Sequence, residues 1–309
     1  MWTYIARRML WVPVIIFAAS LMTFSLGRFG PGDPVEVILG VRYEQRAADN
    51  IRAQLGLDRP FHVQYADYMW GVVRGDFGES YRHRDHSVSS LLFPKFLVSF
   101  QVNLAAMIVS LGLGLPLGFW VAHKQGQWMD PMTVGIALFL MSIPIMVTIP
   151  ATLWVLCLKW GVVPCSGWGG LLDLRIIVPA LTLGIPGIAG LARLMRASTL
   201  DVMGQDFIRT AKSKGLSSFT VDTRHLLKNA MIPIVTVLSF SLAGMFTTSF
   251  IVESILGIPG VGQFTIDAVF NRDYPIIMAM TILASAAFVF ANLLADIAYA
   301  FIDPRIRYQ

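Results

Sequence analysis

The chain has 309 residues, of which 55% are hydrophobic and 14% are charged, and its mean hydropathy is +0.64. Soluble domains usually carry about a quarter charged residues, so this composition excludes a single soluble domain and indicates that a bilayer solvates part of the chain. The formal net charge of +5 does not indicate nucleic-acid binding, because Lys and Arg lie in a few segments that flank apolar runs.

Six apolar runs are long enough to cross the hydrocarbon core of a bilayer, which is about 30 Å thick. They lie at residues 9–27, 97–122, 132–158, 176–192, 231–252 and 276–301. The first run follows two arginines, as a secretion signal does, but it is longer than a signal core and no small-residue cleavage site follows it. The sequence therefore predicts an all-α integral membrane protein with six transmembrane helices and an uncleaved first span.

The distribution of positive charge predicts the orientation of these helices, because cytoplasmic loops carry an excess of Lys and Arg. With both termini inside, the two short outside loops and their flanks hold only Lys159, Arg175 and Arg272. Twelve basic residues lie in the inside segments 1–8, 123–131, 193–230 and 302–309, and the long outside segment 28–96 is exempt from the rule because of its length, with nine basic and nine acidic residues. We expect a multi-pass protein with both termini in the cytoplasm.

These boundaries predict three regions. Residues 1–27 form the cytoplasmic N-terminus and the first span, residues 28–96 a domain on the outer side, and residues 97–309 a core of five spans. The core includes the largest cytoplasmic segment, 193–230, and a Gly-rich outer hairpin or short helix at 253–274. The third run exceeds the thickness of a bilayer, so we expect it to tilt or bend.

The stretch from Asp206 to Gly215 predicts a short amphipathic helix in the cytoplasmic segment. Asp206 suits its N-terminus and Gly215 supplies a C-terminal stop, whereas Phe207, Ile208 and Ala211 fall on one side. Ser217 or Ser218 then caps a second helix that runs towards Pro233. Such a segment is either a lever that enters a partner's groove or a basic loop on anionic headgroups, and the spacing alone does not separate the two.

The sequence Asp206-Phe-Ile-Arg-Thr-Ala-Lys-Ser-Lys-Gly-Leu-Ser217, followed by His225-Leu-Leu-Lys-Asn-Ala-Met-Ile-Pro233, resembles the signature loop of ABC importer permeases. More narrowly, it resembles the first permease of the dipeptide, oligopeptide and nickel branch. The general importer pattern, Glu-Ala-Ala with Gly four residues later, maps to Arg209-Thr210-Ala211 and Gly215. The missing glutamate and the longer spacing to Pro233 both fit that branch.

Further motifs resemble the same subfamily and occur in chain order: Gly30-Pro-Gly-Asp-Pro34, Leu55-Gly-Leu-Asp-Arg-Pro60, Gly75-Asp-Phe-Gly78 with Ser80, Gly257-Ile-Pro-Gly-Val-Gly262, Asn271-Arg-Asp-Tyr-Pro275 and Asp303-Pro-Arg-Ile-Arg307. The resemblance implies a permease subunit of an ATP-driven importer in a bacterial inner (cytoplasmic) membrane. Its implied cargo is di- and oligopeptides, with nickel or other metal chelates, glutathione, oligosaccharide and haem as alternatives.

The resemblance also implies partners. These are a second homologous permease, two ATP-binding cassette ATPases and a periplasmic or lipid-anchored solute-binding protein. The loop at 206–217 is expected to carry the coupling helix that docks on an ATPase. Its implied coupling residues are Asp206, Phe207, Ile208, Arg209, Thr210, Ala211, Lys212 and Gly215. ATP and magnesium are then bound by the ATPases, and we expect no cofactor in this chain.

The fifth apolar run predicts a candidate transport path. At 100° per residue, one arc carries Thr236, Ser239, Gly244, Thr247 and Thr248, bordered by Phe240, whereas Leu238, Leu242 and Met245 lie opposite. Small and hydroxylated residues either line a wet path or allow close helix packing. The resemblance implies that this span lines the path.

The outer end of this span carries candidate gate residues. Glu253 either helps to close an outer gate or ends a helix. The stretch that contains Gly257, Pro259, Gly260 and Gly262 lacks the Lys and Ser/Thr of a phosphate-binding loop, so it predicts a turn.

The remaining polar residues do not predict catalysis. The sequence shows no nucleotide-binding loop and no nucleophile elbow, and five of the apolar runs lack the charged groups that an ion-coupled transporter needs. Asp296, in the sixth run, is expected to make a structural hydrogen bond rather than carry a proton. His83 and His86 are expected on a solvated surface, not at a metal, and Cys157 and Cys165 are expected as free thiols.

Overall fold

The computed structural model describes residues 2–30, 34–39, 45–83, 85–245 and 250–302. Its α-helices in chain order are α1 Trp2–Phe29, α2 Pro34–Leu39, α3 Gln45–Gln54, α4 Phe61–Val73, α5 Val88–Ala122, α6 Met129–Ser142, α7 Ile145–Leu153, α8 Ile177–Met203, α9 Asp206–Ser213, α10 Ser218–Thr220, α11 Leu227–Gly244, α12 Phe250–Leu256, α13 Val261–Phe270 and α14 Tyr274–Ile302. A 3₁₀ turn at Leu174–Ile176 precedes α8, and π-helical turns cover Trp154–Lys159 and Val221–Leu226. The described residues contain no strand, which confirms the all-α expectation.

Helices occupy all six apolar runs. By length and composition, the described segments Met9–Phe29, Val88–Ala122 and Leu174–Met203 can each cross a membrane. A fourth candidate is the pair Met129–Ser142 and Ile145–Lys159, which is bent by 100° and is either a broken span or a re-entrant loop. The fifth and sixth runs correspond to α11 with α12 and to α14.

The bend in the third run has a local cause. Pro144 has no N–H to donate, and the residue before a proline is driven out of the helical region. Ile143 accordingly adopts an extended conformation, with φ −76° and ψ 121°, and α7 begins immediately after Pro144. The expectation of a bend is therefore confirmed in the described residues.

The backbone divides into two compact units that do not follow the three predicted regions. The first consists of Met1–Ser99, Phe246–Phe250 and Pro259–Phe290. The second consists of Phe100–Met245, Ile251–Ile258 and Ala291–Gln309. The predicted boundaries at 27/28 and 96/97 stay predictions.

Glycines allow α5 and α8 to approach closely in the second unit. A Cβ added at Gly114 would lie 2.9 Å from the carbonyl oxygen of Ile188, and one at Gly118 would overlap the carbonyl oxygen of Ala192. Two small residues four apart are typical of close helix pairs in membranes. Between the same helices, the Ser110 hydroxyl is 2.8 Å from the Ala106 carbonyl oxygen and 3.1 Å from that of Gly184.

The expectation of two free thiols is wrong, because Cys157 and Cys165 form a disulfide with their Cα atoms 5.4 Å apart. The helix that carries Cys157 ends at Lys159, and Gly161, at φ +63°, turns the chain back. A spacing of eight residues is not diagnostic of this pairing, so the sequence alone did not indicate it. Residues 159–175 were predicted to lie outside, where disulfides persist.

Candidate functional site

The amphipathic helix predicted in the cytoplasmic segment is α9, and its two ends are formed by local hydrogen bonds. It begins at Asp206 after Gln205 and ends at Ser213. The Gly215 N–H donates to the Lys212 carbonyl at 3.0 Å, and the Leu216 N–H donates to the Ala211 carbonyl at 3.4 Å. This pair of bonds is a Schellman motif, which requires a left-handed residue, and Gly215 supplies it with φ +77°.

One side of α9 is buried in its own chain. Ile208 is 2% exposed and Ala211 is 6% exposed. Both belong to an apolar cluster with residues of α8, of the π turn Val221–Leu226 and of α11. These residues are Leu191, Met195, Val202, Val221, Leu226, Ala230 and Ile234. These two residues therefore hold α9 on its own subunit instead of facing a partner.

The other side of α9 is free of this cluster. Asp206, Arg209, Thr210 and Lys212 are exposed, and Phe207 retains 39% of its accessible surface. The Arg209 guanidinium lies 3.7 Å from the Asp206 carboxylate, but both side chains are so exposed that this ion pair contributes little to stability. The structure thus divides the residues of the predicted coupling helix into two anchoring residues and an exposed face that carries four polar side chains and Phe207.

After a turn at residues 214–217, an unbroken helix leads from Ser218 into the fifth apolar run. The Ser217 hydroxyl accepts a hydrogen bond from the Thr220 N–H at 3.3 Å, which confirms the predicted cap. From Ser218 the chain stays helical through α10, the π turn Val221–Leu226 and α11. The apolar cluster and this helical backbone therefore form a physical connection from α9 to α11.

Two polar contacts, which the sequence did not indicate, join α8 and the π turn Val221–Leu226 to other parts of the second unit. The Arg196 guanidinium of α8 forms a two-pronged ion pair with Asp130 of α6, and the Arg196 Nη2 to Asp130 Oδ2 distance is 2.7 Å. His123, after α5, lies 3.2 Å from the Asp222 carboxylate in the π turn. These partners are 66 and 99 residues apart in sequence, so no local pattern indicates them.

A cleft lies between α5, α8 and α11 in the second unit. Its volume is about 560 Å³, and its polar lining side chains are Asn103, Ser110, Arg193 and Ser241. The α11 wall comprises Val237, Leu238, Ser241, Gly244 and Met245. We define these helices and side chains as the α5–α8–α11 cleft.

Of the predicted path residues that the structure describes with their surroundings, Gly244 lines this cleft and Thr236 does not. Thr236 is half-buried, and its hydroxyl donates to the Ile232 carbonyl at 3.3 Å. Ser239 and Phe240 lie in α11, but their side chains are outside the described ones. Thr247 and Thr248 lie outside the described residues. The path assignment therefore stays a prediction.

The predicted outer turn joins α12 to α13. Glu253 lies within α12 and is 2% exposed, and the helix continues to Leu256, so Glu253 does not end it. Gly257 takes φ +64°, and the Ile258 N–H donates to the Glu253 carbonyl at 2.8 Å. Pro259 and Gly260 complete the turn, Gly260 precedes α13 and Gly262 is buried in its first turn.

A buried carboxylate in the first unit holds together the segments around Ser80 and Asp273. Asp273 is 1% exposed, and its oxygens accept hydrogen bonds from the Ser80 hydroxyl at 2.5 Å, the Tyr81 N–H at 3.2 Å and the Arg82 N–H at 3.3 Å. Burial, reinforced by the Asp273 charge, raises the pKa of Tyr81 to about 12. Two motifs that carried the family resemblance, around Gly75–Ser80 and Asn271–Pro275, therefore meet at this carboxylate.

The described residues contain no group of three or more His, Cys, Asp or Glu side chains arranged to hold a metal ion. The Asp296 side chain lies outside the described ones.

Two family models match the chain. Residues 114–308 match the model described as "Binding-protein-dependent transport system inner membrane component". Residues 1–109 match the N-terminal model of the same membrane component.

Curated relatives match over the full length. The chain is 33% identical over 305 residues to the "Oligopeptide transport system permease protein OppB" of Haemophilus influenzae, with 99% of each chain covered. It is 35% identical over 314 residues to the "Probable peptide ABC transporter permease protein y4tP" of Sinorhizobium fredii, with 100% of each covered. It is 33% identical over 337 residues to the "Dipeptide transport system permease protein DppB" of Escherichia coli, with 99% of each covered.

Among solved structures, the chain is similar to a chain in a structure of the MetNI methionine ABC transporter in an inward-facing conformation. The TM-score is 0.55 at 17% identity, and the match covers 69% of this chain and 97% of that chain. At this identity the similarity concerns the fold alone.

Proposed function

Because the chain belongs to the family of binding-protein-dependent transport system inner membrane components, we propose that it is the permease subunit of an ATP-driven importer of di- and oligopeptides. Full-length similarity to permeases of oligopeptide and dipeptide systems supports peptides over metal chelates, glutathione, oligosaccharide or haem as cargo. In this proposal the chain does not change its cargo chemically, and partner subunits bind ATP and magnesium.

The observation that carries this proposal is the division of α9 into a buried and an exposed side. A helix that only rested on lipid headgroups would turn its apolar side chains towards the membrane. In α9, Ile208 and Ala211 are instead buried in the subunit itself, which leaves Asp206, Arg209 and Thr210 for a partner. A helix whose apolar side is packed on α8 and α11, and whose other side is exposed, is suited to transmit movement of an ATPase to those helices.

The proposed cycle is alternating access in a membrane complex. Two ATPases dock on the cytoplasmic side, a second homologous permease completes the path, and a solute-binding protein delivers cargo to the outer face. Closure of the ATPases on ATP displaces α9, and the helix that begins at Ser218 carries that displacement into α11. The bundle then shifts between inward-open and outward-open states. Both termini lie in the cytoplasm in this arrangement.

Reconstitution of the complete transporter into vesicles tests the coupling role. In Thr210→Arg, a large charged side chain replaces an exposed one in the proposed interface, so ATP-driven peptide uptake should fall about tenfold or more while the permease still inserts. Gln125→Arg adds the same side chain at an exposed site between α5 and α6, outside α9 and the helix that follows it, and should retain wild-type uptake. Full uptake by Thr210→Arg would contradict docking through this face.

Gly244 tests the transport path separately. A Cβ added there meets no heavy atom within 4 Å, so Gly244→Leu would project into the cleft without displacing α11. We expect impaired transport and normal assembly. Gly112→Leu is a matched control, because a Cβ at Gly112 also meets nothing within 4 Å and Gly112 is not among the residues that line the cleft. Equal uptake by both variants would contradict a path through this cleft.

A further inference from the structure

We propose that Arg193, in the α5–α8–α11 cleft, binds a carboxylate of the transported peptide, the C-terminal carboxylate above all. This inference rests on the proposed function, because it names the group of the cargo that the cleft recognises. The cleft, its charge and its size support it independently of the predicted path residues.

Two arginines one turn apart on α8 have opposite environments. Arg196 is neutralised by Asp130, whose side chain is only 9% exposed. Arg193 is exposed and lines the cleft, and it makes no hydrogen bond or ion pair with any residue that the structure describes. The same helix therefore carries one arginine with a structural partner and one whose guanidinium is available to a ligand.

The other polar side chains of the cleft direct their donors to the protein backbone. The Asn103 amide donates to the Met245 carbonyl at 3.1 Å, and the Ser241 hydroxyl donates to the Val237 carbonyl at 3.0 Å. The Ser110 hydroxyl is similarly directed to carbonyl oxygens of α5 and α8. Arg193 is thus the main source of uncommitted donors among the described lining residues.

Charge complementarity selects an anionic ligand. No described residue of the cleft lining is acidic, and Arg193 is the one charged residue among them. A guanidinium presents parallel N–H groups that match the two oxygens of a carboxylate. Because the remaining walls are mostly apolar, this pairing is screened less than it would be in open water.

The size and the walls of the cleft suit a short peptide. Its volume of about 560 Å³ lies within the range of small-ligand sites. Leu183, Leu191 and Leu238 provide apolar contact that does not depend on one particular side chain of the cargo. A site that reads a terminal carboxylate recognises a group that peptides of different sequence share.

The test compares two cargo peptides in the complete reconstituted transporter. One tripeptide has a free C-terminal carboxylate, and the other is identical except for a C-terminal amide. The ratio of their ATP-driven uptake rates is measured for the wild type and for Arg193→Gln. Any preference of the solute-binding protein enters both ratios equally, so a difference between the ratios reports on Arg193.

We expect the acid-to-amide ratio to fall about tenfold in Arg193→Gln, and Arg193→Lys to retain part of it. Arg224→Gln removes an exposed arginine outside the cleft and should keep the wild-type ratio. If Arg193→Gln does not assemble, Arg193→Met keeps an unbranched apolar stem and removes the donors. An unchanged ratio in these neutral variants overturns the carboxylate inference alone.

Vesicles of phosphatidylcholine, with and without phosphatidylglycerol, distinguish cargo from the headgroup of an anionic lipid. The inference expects the fall in ratio in both membranes. A change that appears only with phosphatidylglycerol and affects acid and amide alike overturns it in favour of a lipid contact. A wild-type complex that hydrolyses ATP but takes up neither peptide contradicts the proposed function itself.

Discussion

Helix α9 and the Asp273 site are both well ordered by hydrogen bonds, but the bonds differ in range. The two bonds that end α9 connect residues within one helical turn or slightly more, from Ala211 to Leu216. The bond from Ser80 to Asp273 connects residues that are 193 apart in the sequence. Loss of one residue at the end of α9 therefore affects few hydrogen bonds. Loss of the buried Asp273 carboxylate leaves two donors from a distant segment without an acceptor.

Removal of the Asp273 carboxylate should have the largest effect on stability. Asp273→Ala leaves the Ser80 hydroxyl and the Tyr81 N–H without their acceptor, whereas the Arg82 N–H keeps the Ser80 hydroxyl oxygen at 3.3 Å. Because buried unpaired donors are costly, we expect a loss of about 3 kcal/mol or more, measured as a lower unfolding temperature of the purified protein. Asp267→Ala, at an exposed site on α13, is the matched control. Equal unfolding temperatures for the two variants would contradict a stabilising role of the buried Asp273 carboxylate.

Close packing of α5 on α8 should rank next. Gly118→Ala places a Cβ against the Ala192 carbonyl oxygen, so the helices must separate, at a cost of about 2 kcal/mol. Gly112→Ala lies on the same helix and meets nothing within 4 Å, so it should be neutral or slightly stabilising. The unfolding temperatures of the two variants measure the difference. A neutral Gly118→Ala would show that this glycine contact is not required.

The local motif at the end of α9 should be less sensitive. Gly215→Ala forces a side chain into φ +77° and costs about 1 kcal/mol, so hydrogen exchange of the Leu216 amide should become about fivefold faster. Gly204→Ala is the control, because Gly204 already has a helical φ of −76°. Equal exchange rates in the two variants would mean that the Schellman motif does not hold the end of the helix.

The smallest effect is expected at the cap of α10. Ser217→Ala removes an exposed acceptor of the Thr220 N–H and should cost about 0.5 kcal/mol, seen as faster exchange of that amide. Ser218→Ala, one residue later, should leave it unchanged. If Ser217→Ala destabilised the protein as much as Asp273→Ala, the distinction between local and long-range sites would fail.

The same distinction explains how much the sequence predicted. The start of α9 at Asp206, the stop at Gly215 and the cap at Ser217 depend on residues a few positions apart, and all three are confirmed. A bend in the third run was expected from the length of that run, whereas its position at Pro144 and its size of 100° were not predicted. Apolar periodicity and turn chemistry were sufficient for α9 and the Ser217 cap.

The sequence did not predict contacts that depend on the folded chain. The Arg196–Asp130 pair and the Ser80–Asp273 bond join distant segments, and the disulfide depends on the turn at Gly161. The amphipathic pattern of α9 identified an apolar side but did not indicate which residues cover that side. Only the fold shows that Ile208 packs on its own subunit.

Cross-linking from α9 in the assembled transporter tests the central claim most directly. Arg209→Cys and Ile208→Cys place a reactive thiol on the exposed and on the buried side of the same helix. With a thiol-to-amine cross-linker, the account predicts that position 209 cross-links to an ATPase subunit with a yield that changes on ATP binding, whereas position 208 does not. Cross-linking from position 208 with none from position 209 would contradict it.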